Sequence, residues 1–118
     1  MIIKDNVFVV TGAARGLGFA IAKDLATFGG KLALIDMNQE GLDQAAATLG
    51  EYGVEIRTYV CNVAIEDQVV ALFDSIQSDF GQIDGLVNNA GITRDGLLVK
   101  HKDGVTKKMS LEKWQQVI

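Results

Sequence analysis

Cysteine occurs once in the chain, at Cys61, and histidine once, at His101. One thiol cannot build a disulfide framework, and no His/Cys cluster offers metal-ligand spacing, so disulfide-stapled and metal-organised folds are set aside. Cys61 has no histidine near it in sequence, and it reads as a small buried hydrophobe with no chemistry assigned. Proline is absent, where average usage of about 5% would place about six, and nothing in the pattern accounts for this. No apolar run approaches the roughly 18 residues that cross a bilayer. The start, Met1-Ile2-Ile3-Lys4-Asp5, runs straight into a strand-like stretch. These absences lead to the expectation of a soluble, cytoplasmic chain with no membrane partner. Internal repeats and low-complexity linkers are also missing.

What is present is a chain of 118 residues, 48% of them apolar, large enough for one core and too short for two domains. The net charge of −4 argues against nucleic acid as a partner, and its distribution is uneven. Residues 1–92 carry five Lys/Arg and twelve Asp/Glu, whereas residues 93–118 carry six and three, so the last segment is locally basic.

The stretch Thr11-Gly12-Ala13-Ala14-Arg15-Gly16-Leu17-Gly18 organises the rest. It follows an apolar run, Val7 to Val10, that reads as a buried strand, and it opens an amphipathic pattern that reads as a helix. Glycine lacks a Cβ, so Gly12 permits a tight turn, Gly16 lets a diphosphate approach the backbone, and Gly18 lets the helix lie close to the strand. The N–H groups at the helix start then face the phosphates, which makes Ala14, Arg15 and Leu17 candidate cofactor contacts along with the glycines. Leu17, Ile21, Leu25 and Phe28 form one helical stripe, read as core, that stops at Gly29-Gly30.

Lys31 to Ile35 reads as a second buried strand, and Asp36 ends it, eighteen residues beyond Gly18. That spacing suits the acid that accepts the adenosine-ribose hydroxyls of NAD, and a carboxylate there repels the 2′-phosphate of NADP. Asn38 is a candidate N-cap for a helix with Leu42, Ala45, Ala46 and Leu49 inside, closed by Gly50 or Gly53. A third strand spans Glu55 to Val60 and leads to Asn62 and Val63, whose amide and backbone can meet an adenine edge. A third helix buries Val69, Leu72, Phe73, Ile76 and Phe80 and ends at Gly81, and the fourth strand is Gly85 to Asn88. Small residues follow it, Asn89-Ala90-Gly91, where open α/β sheets place their ligands, and adjacent asparagines can bridge neighbouring strand ends.

Residues 93–109 are polar and basic and contain Lys102-Asp103-Gly104-Val105, the signal of a two-residue hairpin. An inserted hairpin and a solvated loop both fit them. Ser110 then caps a helix with Leu111, Trp114, Val117 and Ile118.

Thr11-Gly-x-x-x-Gly-x-Gly18, Asp36, Asn62-Val63 and Asn88-Asn-Ala-Gly91 together resemble the N-terminal, cofactor-binding half of a classical short-chain dehydrogenase/reductase. Gly91-Ile92-Thr93-Arg94-Asp95 is similar to the 3-oxoacyl-(acyl-carrier-protein) reductase branch. The resemblance implies an α/β, Rossmann-type doubly wound parallel sheet in the order 3-2-1-4, with helices on both faces. It implies residues 1–118 as the N-terminal part of a single dinucleotide-binding domain, with 93–109 as an insertion. It further implies hydride transfer between a nicotinamide cofactor and a carbonyl or alcohol substrate, the latter carried on acyl-carrier protein in the reductase branch, and a homodimer or homotetramer.

The family's catalytic Asn, Ser and Tyr-x-x-x-Lys have no counterpart in these residues. Tyr52 is followed four places on by Ile56, and Tyr59 by Val63. No catalytic residue is therefore assigned, and the 118 residues alone are expected to be inactive. Asp36 implies NAD, whereas Arg15 is a feature of NADP-preferring relatives. Asn62 stands where many relatives carry Asp, and Ala64 where a Ser or Thr cap is usual. A non-catalytic dinucleotide-binding module or truncated paralogue is the alternative, as is an interaction domain with a vestigial fingerprint.

Overall fold

The computed structural model describes residues 2–89. The strand β1 (Val7–Thr11) is entirely buried, as a continuous apolar run in a parallel sheet must be. It leads through the glycine turn into α1 (Gly16–Thr27), then β2 (Lys31–Asp36), α2 (Gln39–Leu49), a short 3-10 turn at Gly50–Tyr52, β3 (Ile56–Val60), α3 (Glu66–Phe80) and β4 (Gly85–Asn88). The strands form one parallel sheet in the order β3-β2-β1-β4, which is the order implied by the resemblance.

Alternation along the strands divides the core between two faces. Phe8, Val10, Leu32 and Leu34 pack with Ala22, Leu25 and Ala26 of α1 and with Leu42, Ala45 and Leu49 of α2. Val9, Ala33, Ile35 and Leu86 pack on the opposite face with Val69, Leu72, Phe73 and Ile76 of α3. The sheet is thus covered by α1 and α2 on one side and by α3 on the other. Asp84 fixes where β4 enters beside β1, since its carboxylate accepts from Val7 N–H at 2.8 Å and its own N–H donates to the Val7 carbonyl at 2.8 Å.

Local expectations at α1, β3 and α3 are corrected. Leu17 and Phe28, read as core, are 65% and 63% exposed. The buried face of α1 is Gly18, Ala22, Leu25 and Ala26, about one residue out of phase with the stripe of larger side chains. The cause is proximity, because this helix starts in contact with the turn beneath it and only small side chains fit between. Gly50 caps the C-terminus of α2 as expected and opens the 3-10 turn, which the left-handed Gly53 closes at φ 75°. Finally, Glu55 lies before β3, and the residue preceding α3 is Ile65, with Ala64 one step earlier.

The remaining sequence expectations lie outside the described residues: Ala90 and Gly91, the hairpin or loop within 93–109, and the helix after Ser110. Among the described residues no helix is long and apolar enough to cross a membrane, and no group of three His, Cys, Asp or Glu side chains could hold a metal ion.

Candidate dinucleotide site

The carboxyl ends of β1, β2, β3 and β4 meet at one edge of the sheet, and the candidate residues lie in the turns that leave it. The first turn is built by two left-handed glycines, Gly12 at φ 63° and Gly16 at φ 64°, a conformation that L side chains rarely adopt. Ala13 is buried between them, and its N–H donates to the Ile35 carbonyl at 3.1 Å, which carries the β1–β2 pairing into the turn. A Cβ on Gly16 would meet nothing within 4 Å, so open space lies over this part of the turn. Gly18 is the reverse. A Cβ there would overlap the Gly12 carbonyl oxygen and come within 2.9 Å of Asn89 Nδ2, so the helix start rests directly on the turn and on the end of β4.

Arg15, in extended conformation, precedes α1 and makes no side-chain cap, and no acidic residue lies in the first turn. The positive end of this helix is therefore left to a ligand or to water. Arg15 and Leu17 are exposed beside it. Of the two places the sequence allowed Leu17, core and cofactor contact, the structure removes the first.

Asp36 stands at the end of β2, next to the turn. Its Oδ2 accepts from Ala14 N–H and its Oδ1 from Asn38 N–H, both at 3.1 Å. A carboxylate has about four lone-pair sites, so each oxygen keeps capacity for one further donor. Asn38 caps α2 as expected, its side-chain oxygen accepting from Gly41 N–H at 3.0 Å. At the end of β3, Asn62 uses its side-chain oxygen on Ala64 N–H at 3.0 Å, while its own N–H donates to Gln68 Oε1 at 2.9 Å. The group its side chain offers to a base edge is consequently the Nδ2 amide. Cys61, 6% exposed, fills the opposite core, and burial pushes its thiol up.

Thr11, named in the organising stretch but given no role there, ties the central strands together. The Thr11 hydroxyl donates to Asn88 Oδ1 at 2.9 Å and accepts from Asn89 N–H at 2.8 Å, joining the ends of β1 and β4 under the site. The bridge anticipated from the paired asparagines exists, and Thr11 is its other abutment. Its position directly before the first glycine was the available signal. Gly41 was also missed, and a Cβ on it would lie 2.9 Å from Ala14 Cβ, so the first turn of α2 presses on the glycine turn.

Comparison with known proteins places these features in a family. The family described as short chain dehydrogenase matches residues 6–118. The 3-oxoacyl-[acyl-carrier-protein] reductase of Haemophilus influenzae is 40% identical over 101 residues, covering 86% of this chain and 40% of that protein. An NAD+-bound xylitol dehydrogenase structure superposes with a TM-score of 0.74 at 47% identity, covering 77% of this chain and 35% of that one. The L-sorbose reductase of Gluconobacter frateurii, complexed with NADPH and L-sorbose, gives a TM-score of 0.71 at 37% identity, covering 77% and 36%.

Proposed function

The chain belongs to the short-chain dehydrogenase family, and we propose that it is the N-terminal part of one dinucleotide-binding domain in an NAD(P)-dependent oxidoreductase. Since it spans only about 40% of the curated relative's length, activity, substrate and partners are proposed for the whole protein and not for these residues alone. The bound nicotinamide supplies or accepts the hydride. The 118 residues bind and orient it and, carrying no catalytic set of their own, turn over no carbonyl substrate.

The observation that carries this proposal is the turn at Gly12–Gly18 with Asp36 beside it. Open space over Gly16, an uncapped helix start and a carboxylate with one acceptor site left on each oxygen fit the diphosphate and the adenosine ribose of a dinucleotide. Gly12, Ala14, Arg15, Gly16, Leu17 and Gly18 would hold the diphosphate side, and Asp36 the ribose. Asn62 and Val63 would flank the adenine, Asn89 directly follows β4, and with it Ala90 and Gly91 are proposed as cofactor contacts from the sequence. The preferred cofactor is NAD. A second negative group about 4 Å from the Asp36 carboxylate costs on the order of 4 kcal/mol at an effective dielectric constant near 20, and Arg15 offsets part of this. Reduction of a 3-oxoacyl group on acyl-carrier protein is the favoured reaction, by similarity to the Haemophilus influenzae reductase, with a small carbonyl or polyol substrate next. A homo-oligomer in the cytoplasm is the proposed setting.

Titration of the chain with NADH and NADPH, followed by nicotinamide fluorescence, tests the cofactor. NADH should bind more tightly, and Asp36→Ala should narrow the ratio. Tighter binding of NADPH, with a ratio unaffected by Asp36→Ala, would remove Asp36 from the site.

A further inference from the structure

Four residues of the site, Ala14, Asp36, Asn38 and Gly41, close into a ring. Ala14 N–H donates to Asp36 Oδ2, Asn38 N–H donates to Asp36 Oδ1, and Gly41 N–H donates to Asn38 Oδ1. The last link is a close approach that only the missing side chain allows, since a Cβ on Gly41 would lie 2.9 Å from Ala14 Cβ, closer than real Cβ atoms approach. We infer that Gly41 is a positioning residue for ribose recognition, holding the Ala14 amide where it orients the Asp36 carboxylate. The inference deepens the dinucleotide reading and rests on it.

Glycine at the third position of α2 is otherwise out of place. Alanine is the better helix former, and Gly41 is not among the glycines with positive φ, so its backbone would accept a side chain without strain. What alanine would lack is room. The opposing atom is Ala14 Cβ, which has no torsion of its own to yield and moves only with the turn. Displacing that turn pulls the Ala14 N–H from Asp36 Oδ2 and leaves the carboxylate fixed on one oxygen only. Held at both oxygens by backbone donors, the carboxylate presents one remaining acceptor site on each, a pair suited to the two neighbouring hydroxyls of an unmodified ribose. Held at one, it rotates and hydrates, and the loss falls on hydroxyl recognition before it falls on the diphosphate.

The test measures the affinity of the chain for ADP and for 2′-deoxy-ADP by calorimetry in four forms: wild type, Gly41→Ala, the double variant Ala14→Gly with Gly41→Ala, and Gly50→Ala. Gly50 is exposed, with φ −61° and nothing within 4 Å of an added Cβ, and serves as the control for adding a methyl where there is room. Wild type should favour ADP by about tenfold or more, the worth of a hydrogen bond to a charged acceptor. Gly41→Ala should reduce that preference to about threefold or less, the double variant should restore it by emptying the opposing position, and Gly50→Ala should leave it alone. A Gly41→Ala variant that weakens both nucleotides equally, or keeps the wild-type ratio, overturns the inference while leaving the dinucleotide site standing. If Gly41→Ala does not fold, the double variant decides, since restored folding with the wild-type ratio supports the contact and continued failure refutes it. Absence of ADP binding by wild type would overturn the dinucleotide reading and the inference together.

Discussion

Gly18→Ala is the substitution whose outcome is most sharply set by the structure. Two opposed effects are at work. Alanine in place of glycine inside a helix is worth about 0.8–1 kcal/mol in favour of folding. Against this, the new methyl would overlap the Gly12 carbonyl oxygen and sit 2.8 Å from its carbon, with Asn89 Nδ2 at 2.9 Å. Carbon and oxygen in contact stand about 3.3–3.6 Å apart, so the helix start or the turn must move by roughly an ångström. The turn resists, being pinned by the left-handed Gly12 and by the Ala13 N–H on the Ile35 carbonyl. Overpacking of this kind costs about 1–3 kcal/mol and at times more, and the backbone on the receiving side puts the cost at the upper end. The net expectation is a loss of about 2 kcal/mol, or a fall in Tm of about 8 °C for a domain of this size. Urea unfolding followed by circular dichroism, read as a lower midpoint at unchanged slope, measures it. Gly50→Ala, run alongside, should gain about 0.4–1 kcal/mol. Equal or greater stability of Gly18→Ala would show that α1 does not rest on the turn as described.

Two further outcomes follow from side-chain hydrogen bonds. Thr11→Val keeps the shape of the side chain but leaves Asn88 Oδ1, in a residue 5% exposed, without its hydroxyl donor, and should cost about 1–3 kcal/mol in urea unfolding; a change below about 0.5 kcal/mol would contradict the bridge between β1 and β4. Tyr59 is partly buried and donates to Asp79 Oδ2 at 2.7 Å, and burial first, then that hydrogen bond, hold its phenol protonated above the usual value of 10.0. The folded state therefore binds this proton more tightly than the unfolded state, so its stabilisation is complete below pH about 10 and is lost as pH rises beyond it. Tm measured from pH 8 to 11 should fall more steeply for wild type than for Tyr59→Phe, and parallel curves would refute the shift.

β1, β2 and β4 were legible in the sequence because each is a short, mostly apolar run closed by residues with an evident role, whereas β3, Ile56–Val60, is a half-exposed strand carrying Arg57 and Thr58. Gly12 turns the chain, Asp36 ends β2, and Gly81 closes α3, so the boundaries of the elements followed closely. Helix phase was legible for α2 and α3, where large side chains are the buried ones. It failed for α1 because hydrophobicity marks a core face only where space is available. Here a close approach of backbones buries Gly18, Ala22 and Ala26 and leaves Leu17 outside. The site's outer parts, Asp36 and the glycine turn, carry recognisable spacing. Its supports do not, since Thr11 and Gly41 act through contacts with residues 77 and 27 positions away, Asn88 and Ala14, which no local pattern encodes.

The central claim is that a dinucleotide lies over the turn after β1 and across the ends of β2, β3 and β4. Amide chemical-shift mapping of the isotopically labelled chain during titration with NAD+ tests it residue by residue. The account predicts the largest shifts at Ala14, Arg15, Gly16, Leu17 and Gly18, with others at Asp36, Asn38, Asn62, Val63 and Asn89, and little change at Lys4, Asp5, Phe28 and Asp84 on the opposite edge. Saturating NAD+ that leaves the first group unmoved, or moves the second group instead, would contradict it.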